Sequence, residues 1–224
     1  MILIVTGGIG SGKSEVCRIL RDSFGYRVYE ADVKAKELYF RFPDLLESIE
    51  DALDCRIRNE CGEFVPSLLA DRIFTDRKAL AEVENILFPY LLKDFDEFCK
   101  AASGPVIMES ATVLEKSQFD GIGDAVMLVD APYELRLERA SSRDSSPKEK
   151  IAARMANQKL MNAFSDGTIH TYPEDSAWGK ALKRVSLIIK NDGSTQKLEA
   201  DVKAAVKLLG ADHDMNLITK NRSK

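Results

Sequence analysis

Short apolar runs recur along the chain at residues 2–5, 26–29, 106–108, 125–129 and 185–189, each bounded by turn or helix signals. Runs of this length that are apolar throughout suit parallel strands buried between helix layers. Helical spacing fills the intervals. Val16, Ile19, Leu20 and Phe24 recur at steps of three and four with Gly25 placed to end the helix, and Leu135 and Leu137 follow Pro132. A last helix is expected over 195–210, through Leu198, Val202, Val206 and Leu209 to Gly210. Strands alternating with helices in this way predict an open α/β sheet of five parallel strands with right-handed crossovers and helices on both faces.

The rhythm breaks between the second and third runs. Residues 34–102 hold no strand pattern, whereas Leu80, Val83, Leu87, Leu91, Phe95 and Phe98 keep a helical spacing, with Pro89 expected to start a new helix or bend the old one. The chain therefore divides into a core over 1–33 and 103–210, an all-helical insertion over 34–102, and a mobile polar tail over 211–224. The insertion is expected beside the carboxyl ends of the strands, where open α/β sheets bind ligands.

Charge and cysteine content narrow the class. Over 224 residues, 32 Lys plus Arg against 36 Asp plus Glu leave a net charge of −4, without the basic surplus of a nucleic-acid or anionic-membrane binder. Cys17, Cys55, Cys61 and Cys99 are too scattered for a disulfide framework or a zinc site and read as reduced thiols. The apolar opening MILIV stops at Thr6, and no other stretch approaches the roughly twenty residues of a membrane span. A cytoplasmic location with no membrane partner is the expectation.

Chemistry enters at Gly7-Gly8-Ile9-Gly10-Ser11-Gly12-Lys13-Ser14, which fits G-x-x-x-x-G-K-[ST] and lies between an apolar strand and an amphipathic helix, the context this motif requires. Glycines let the backbone turn its N–H groups inward, and the helix N-terminus adds partial positive charge. Lys13 reaches the β/γ-phosphates of ATP, and the Ser14 hydroxyl is placed to ligate Mg²⁺. Gly8, Ile9, Gly10, Ser11 and Gly12 complete the cradle. A GTPase is disfavoured because Lys190-Asn191-Asp192 has the wrong order for a guanine reader, and Asp120 to Gly123 forms a D-x-x-G with no strand before it. Asp130, ending the fourth apolar run before Pro132, reads either as a metal-site acid or as a strand-to-helix junction. Tyr29-Glu30-Ala31-Asp32 places two acids after the second strand, where Asp32 serves either as the group that takes a proton from an acceptor hydroxyl or as a helix N-cap.

Taken together, TGGIGSGKS, EADVKAKEL, LFPYL, VMLVDAP, RASSRD, RMANQ and IIKND, in order over nearly the whole chain, resemble the dephospho-CoA kinases. The resemblance implies a P-loop NTPase-type three-layer fold with a lid near 140–165 and a helical insertion that holds the CoA moiety. The implied reaction is transfer of the ATP γ-phosphate to the ribose 3′-hydroxyl of dephospho-CoA, the last step of CoA biosynthesis. It makes Asp32 the catalytic base and puts Glu115, Arg143 and Asn191 on the nucleotide side, Asn191 near the adenine, where Asn191-Asp192-Gly193 reads equally well as a turn. The chain departs from the family pattern with Glu30 for the usual first Asp, Lys36 for Arg, Phe88 for His, and Ala111-Thr112-Val113 for Pro-Leu-Leu.

Arg136, Arg139 and Arg143 are spaced i, i+3, i+7 on one helix face, with Arg154 and Gln158 beyond. That face is either solvated and paired with Glu134 and Glu138, or, as the resemblance implies, an arginine lid in which Arg139 and Arg143 contact phosphate. His170 reads as a surface loop residue. Two other classes stay open: a related kinase acting on another nucleoside or nucleotide hydroxyl, and a nucleotide-binding switch without turnover.

Overall fold

A computed structural model describes residues 1–74, 76–158, 160 and 173–221, side chains excepted at 178 and 211–221. His170 and part of the expected lid lie outside the described residues. The chain forms two compact units, one of residues 1–28 and 103–224 and one of residues 29–102.

The first unit is built on the apolar runs. Strands β1 (Ile2–Thr6), β2 (Arg27–Glu30), β3 (Val106–Glu109), β4 (Ala125–Asp130) and β5 (Leu187–Lys190) form one sheet in the order β2-β3-β1-β4-β5. β1 runs parallel to both β3 and β4, and β4 parallel to β5, with Val5 opposite Glu109 and Met127. This is the α/β class with a five-stranded parallel sheet expected from the pattern. β4 is buried at every position, as a strand with neighbours on both edges and helices over it must be.

Alternation along the strands sorts the core. Leu3 and Val5 of β1, Met127 and Val129 of β4 and Ile189 of β5 turn to the face covered by α1 (Lys13–Phe24) and α9 (Thr195–Asn221). Val16, Ile19 and Leu20 meet them from α1, and Leu198, Val202 and Leu209 from α9. Gly25 ends α1 in the left-handed conformation at φ 70°, as its position in the sequence anticipates. The last helix runs on past Gly210 to Asn221, since nothing between them removes a backbone donor as proline would. Helices α6 (Tyr133–Asp144) and α7 (Lys148–Ala156) pair through Leu137, Ala140, Ile151 and Met155, and the short α8 (Ala177–Lys183) precedes β5.

The second unit is helical: α2 (Ala31–Arg41), α3 (Pro43–Leu53), α4 (Pro66–Phe74) and α5 (Arg77–Lys100). α5 continues through Pro89 as one helix and starts on an Asp76 cap that accepts the N–H groups of Lys78 and Ala79 at 2.9 and 3.1 Å. Leu38, Leu45, Ile49, Val83 and Leu91 form its interior. Tyr29 meets Phe95 edge-on at 5.1 Å and donates its hydroxyl to Asp94 at 2.8 Å. Tyr39, Phe40, Pro43, Leu46, Arg58 and Phe64 line an open cavity of about 450 Å³.

Candidate active site

The turn from β1 into α1 is the phosphate loop. Gly12 occupies the N-cap of α1, so the free N–H groups of the first helical turn open onto the loop. Lys13 Nζ donates to the carbonyls of Gly7 and Gly8 at 2.9 and 3.3 Å, which arches its chain over the loop. The Ser11 hydroxyl is buried within it. Ser14 Oγ donates to Glu109 Oε1 at 2.8 Å, bringing an acid at the end of β3 to the first turn of α1.

Glu109 joins the loop without having been singled out by the sequence, although it carries the same signal as Asp130 and the acids after β2, an acid closing an apolar run. The register places Glu109 beside the loop because β3 is the direct neighbour of β1. Asp130 ends β4 and is buried, 6% exposed. Mg²⁺ takes hard oxygen ligands and keeps phosphate and water in most of its positions, so it requires few protein donors. The Ser14 hydroxyl and the Glu109 carboxylate fit that demand.

The remaining predicted residues fall in different places. Arg136, Arg139 and Arg143 do share a face of α6, but the face runs outward from the loop and burial falls along it. Arg136 is fully buried and donates Nε–H to the Ile9 carbonyl at 3.1 Å. Arg139 is half-buried and donates to the Asn191 carbonyl at 3.0 Å. Arg143 is exposed and donates to Asp144 at 2.7 Å. Asp144 raises the pKa of Arg143, and the field of Glu109 adds to the effect. Burial pushes the Arg136 guanidinium down, against the opposing field of Asp130.

Asn191 is buried at the end of β5, and its side-chain amide donates to the Ser11 carbonyl at 2.8 Å, so it braces the loop directly. Gln158, two residues past α7, accepts the Ile9 N–H at 2.8 Å. Glu115 ends a single 3₁₀ turn, Val113–Glu115, and is half-buried. Asp32 belongs to the helical unit and is exposed in the first turn of α2. The N-cap reading of Asp32 does not hold, because α2 begins at Ala31 and leaves Glu30 in the cap position. Among the described residues, no helix is long and apolar enough to cross a membrane.

The comparisons with known proteins agree with the site. A family model described as dephospho-CoA kinase matches residues 1–163. The dephospho-CoA kinase of Porphyromonas gingivalis is 34% identical over 173 residues, covering 75% of this chain and 85% of its own. The crystal structure of a Thermus thermophilus protein matches with a TM-score of 0.70 at 27% identity, over 93% of this chain and 97% of that one. A solved dephospho-CoA kinase from Campylobacter jejuni shares the fold at a TM-score of 0.60 and 20% identity, over 95% of this chain and 98% of its own. With more than half its length matched by the family model, the chain belongs to the dephospho-CoA kinase family.

Proposed function

We propose that this chain transfers the γ-phosphoryl group of ATP to the ribose 3′-hydroxyl of dephospho-CoA, releasing CoA and ADP, the step that completes CoA. The observation that carries the reading is the phosphate loop itself: a G-x-x-x-x-G-K-S turn at a helix N-terminus in a chain of this family. Phosphoryl transfer demands little covalent chemistry from the protein, and positioning with charge neutralisation supplies most of the rate.

In this reading the loop amides and Lys13 hold the β- and γ-phosphates. Ser14 holds Mg²⁺, with Glu109 fixing its hydroxyl; bound there, the ion would neutralise charge on the phosphate oxygens. Arg139 and Arg143 serve the transferring group, supported by their place on the outward face of α6, whose buried end touches the loop. Asp32 takes the acceptor proton, supported by its match to the family acid and by its exposed place in the first turn of α2. The helical unit receives the CoA moiety, and its cavity among Tyr39, Phe40 and Phe64 provides apolar concave surface for it.

The test incubates purified protein with Mg-ATP and either dephospho-CoA or a panel of nucleosides and nucleotides, following ADP release and the mass of the product. The expected outcome is ADP formation dependent on dephospho-CoA, with one phosphate added to the acceptor. Turnover with a nucleoside but not with dephospho-CoA would replace the acceptor while keeping the reaction class. ATP binding with no acceptor-dependent release would favour the switch.

A further inference from the structure

Two side chains that the proposed chemistry leaves unused hold the phosphate loop from outside. Gln158, 8% exposed, accepts the Ile9 N–H, and Arg136, fully buried, donates to the Ile9 carbonyl. The Ile9 side chain packs on the cluster of Leu137, Ala140, Ile151 and Met155. Both peptide groups of this one residue, together with its side chain, are therefore held by α6, α7 and the segment that follows α7.

The neighbours of Ile9 explain why such a grip matters. Gly8 and Gly10 flank it, and glycine has little conformational preference of its own. Both also lie against Arg136. A Cβ on Gly8 would fall 2.6 Å from the guanidinium carbon, and one on Gly10 would run into the Arg136 backbone carbonyl. The close approach requires glycines, and glycines leave the loop free to wander unless something outside it selects one shape.

We infer that Arg136 and Gln158 are positioning residues for the nucleotide: by gripping the two peptide groups that flank the Ile9 Cα they preorganise the phosphate loop before ATP arrives. They also tie its shape to the helix pair that carries Arg139 and Arg143. Preorganisation strengthens binding by removing an ordering cost that would otherwise fall on the ligand. Releasing one backbone residue corresponds to about tenfold in affinity. The inference rests on the ATP half of the proposed function and is independent of the acceptor.

The variants are Gln158→Met, which keeps the length and removes the acceptor oxygen, Gln158→Glu, which keeps an acceptor, and Arg136→Met alone and combined with Gln158→Met. The Kd of Mg-ATP and Mg-ADP is read by titration calorimetry on the full chain, with the KM of each substrate and the Tm measured alongside. Gln158→Met is expected to weaken both nucleotides about tenfold while the acceptor KM and Tm stay near wild type. Gln158→Glu should recover most of that loss. The double variant should lose less than the product of the single losses, because both act on one residue, Ile9. Should Arg136→Met fail to fold, the two Gln158 variants decide alone. Wild-type nucleotide affinity in Gln158→Met, or a loss that tracks a fall in Tm and acceptor affinity together, would overturn the inference. Wild-type protein that binds no Mg-ATP would instead overturn the nucleotide reading beneath it.

Discussion

Gly10 sits at φ 77° with the Arg136 backbone where a side chain would go, so two separate constraints exclude any other residue there. Gly10→Ala is expected to abolish detectable Mg-ATP binding while the rest of the fold persists, checked by calorimetry beside a far-ultraviolet circular dichroism spectrum. Asp144 poses a question of pH. Arg143 and Arg154 both donate to it, the latter at 2.7 Å from α7, and hold its carboxyl down at about 2. A carboxylate whose folded pKa is depressed stabilises the fold above its unfolded pKa of about 3.9 and loses that contribution as pH falls through the folded value. Asp144→Asn should therefore lower stability at pH 7 by no more than about 1 kcal/mol, since the pair is screened by solvent. The difference from wild type should shrink steadily from pH 4 towards pH 2 in urea melts. A difference that is constant across that window would remove the ion pairs as its cause.

At the scale of elements, the apolar period locates every strand of the sheet to within two residues, because each is a short run bounded by turn or helix signals, even at β2, where Arg27 and Glu30 are exposed. It was silent on partnership. That α9 shares its core with α1 across β1 and β4 is a fact of packing, seen in Leu198 and Val202 meeting the same cluster as Val16 and Leu20. Leu198→Ala removes a side chain that is 3% exposed and is expected to cost about 2–5 kcal/mol in denaturant unfolding. A cost below about 1 kcal/mol, the scale of a surface site, would show that α9 contributes little to this core. Pro89 marks the opposite case. Local propensity counts it as a helix start or a bend; α5 does not restart there but runs through it as one helix, carried by buried residues on both sides, Val83 and Leu87 before it and Leu91 and Phe95 after it.

For the whole molecule, the net charge of −4 is an average that conceals where charge matters. Cations gather around one loop, with Lys13 on its carbonyls and Arg136 beneath it. Asp32 and that loop belong to different compact units, so their roles separate experimentally. Asp32→Asn is expected to leave the Mg-ATP Kd within about twofold while turnover with dephospho-CoA falls roughly 10²–10⁴-fold, the range of a lost proton acceptor. Loss of ATP binding in that variant, or unchanged turnover, would remove Asp32 from the chemistry.

The phosphate loop, the alternation of strands and helices, the helical stretch in the middle and the family itself were all determined by sequence alone. Each is a local signal, carried by residues a few positions apart in a period or a motif. The partners of the loop were decided only by tertiary structure. Ile9 finds Arg136 and Gln158 at separations of 127 and 149 residues, and Ser11 finds Asn191 at 180. No spacing in the chain encodes such contacts. They follow from the placing of β1 between β3 and β4, which brings Glu109 and the start of α6 to opposite sides of one turn. Asn191 illustrates the difference: the family resemblance implies a place near the adenine, and the packing shows that its amide also holds a carbonyl of the loop.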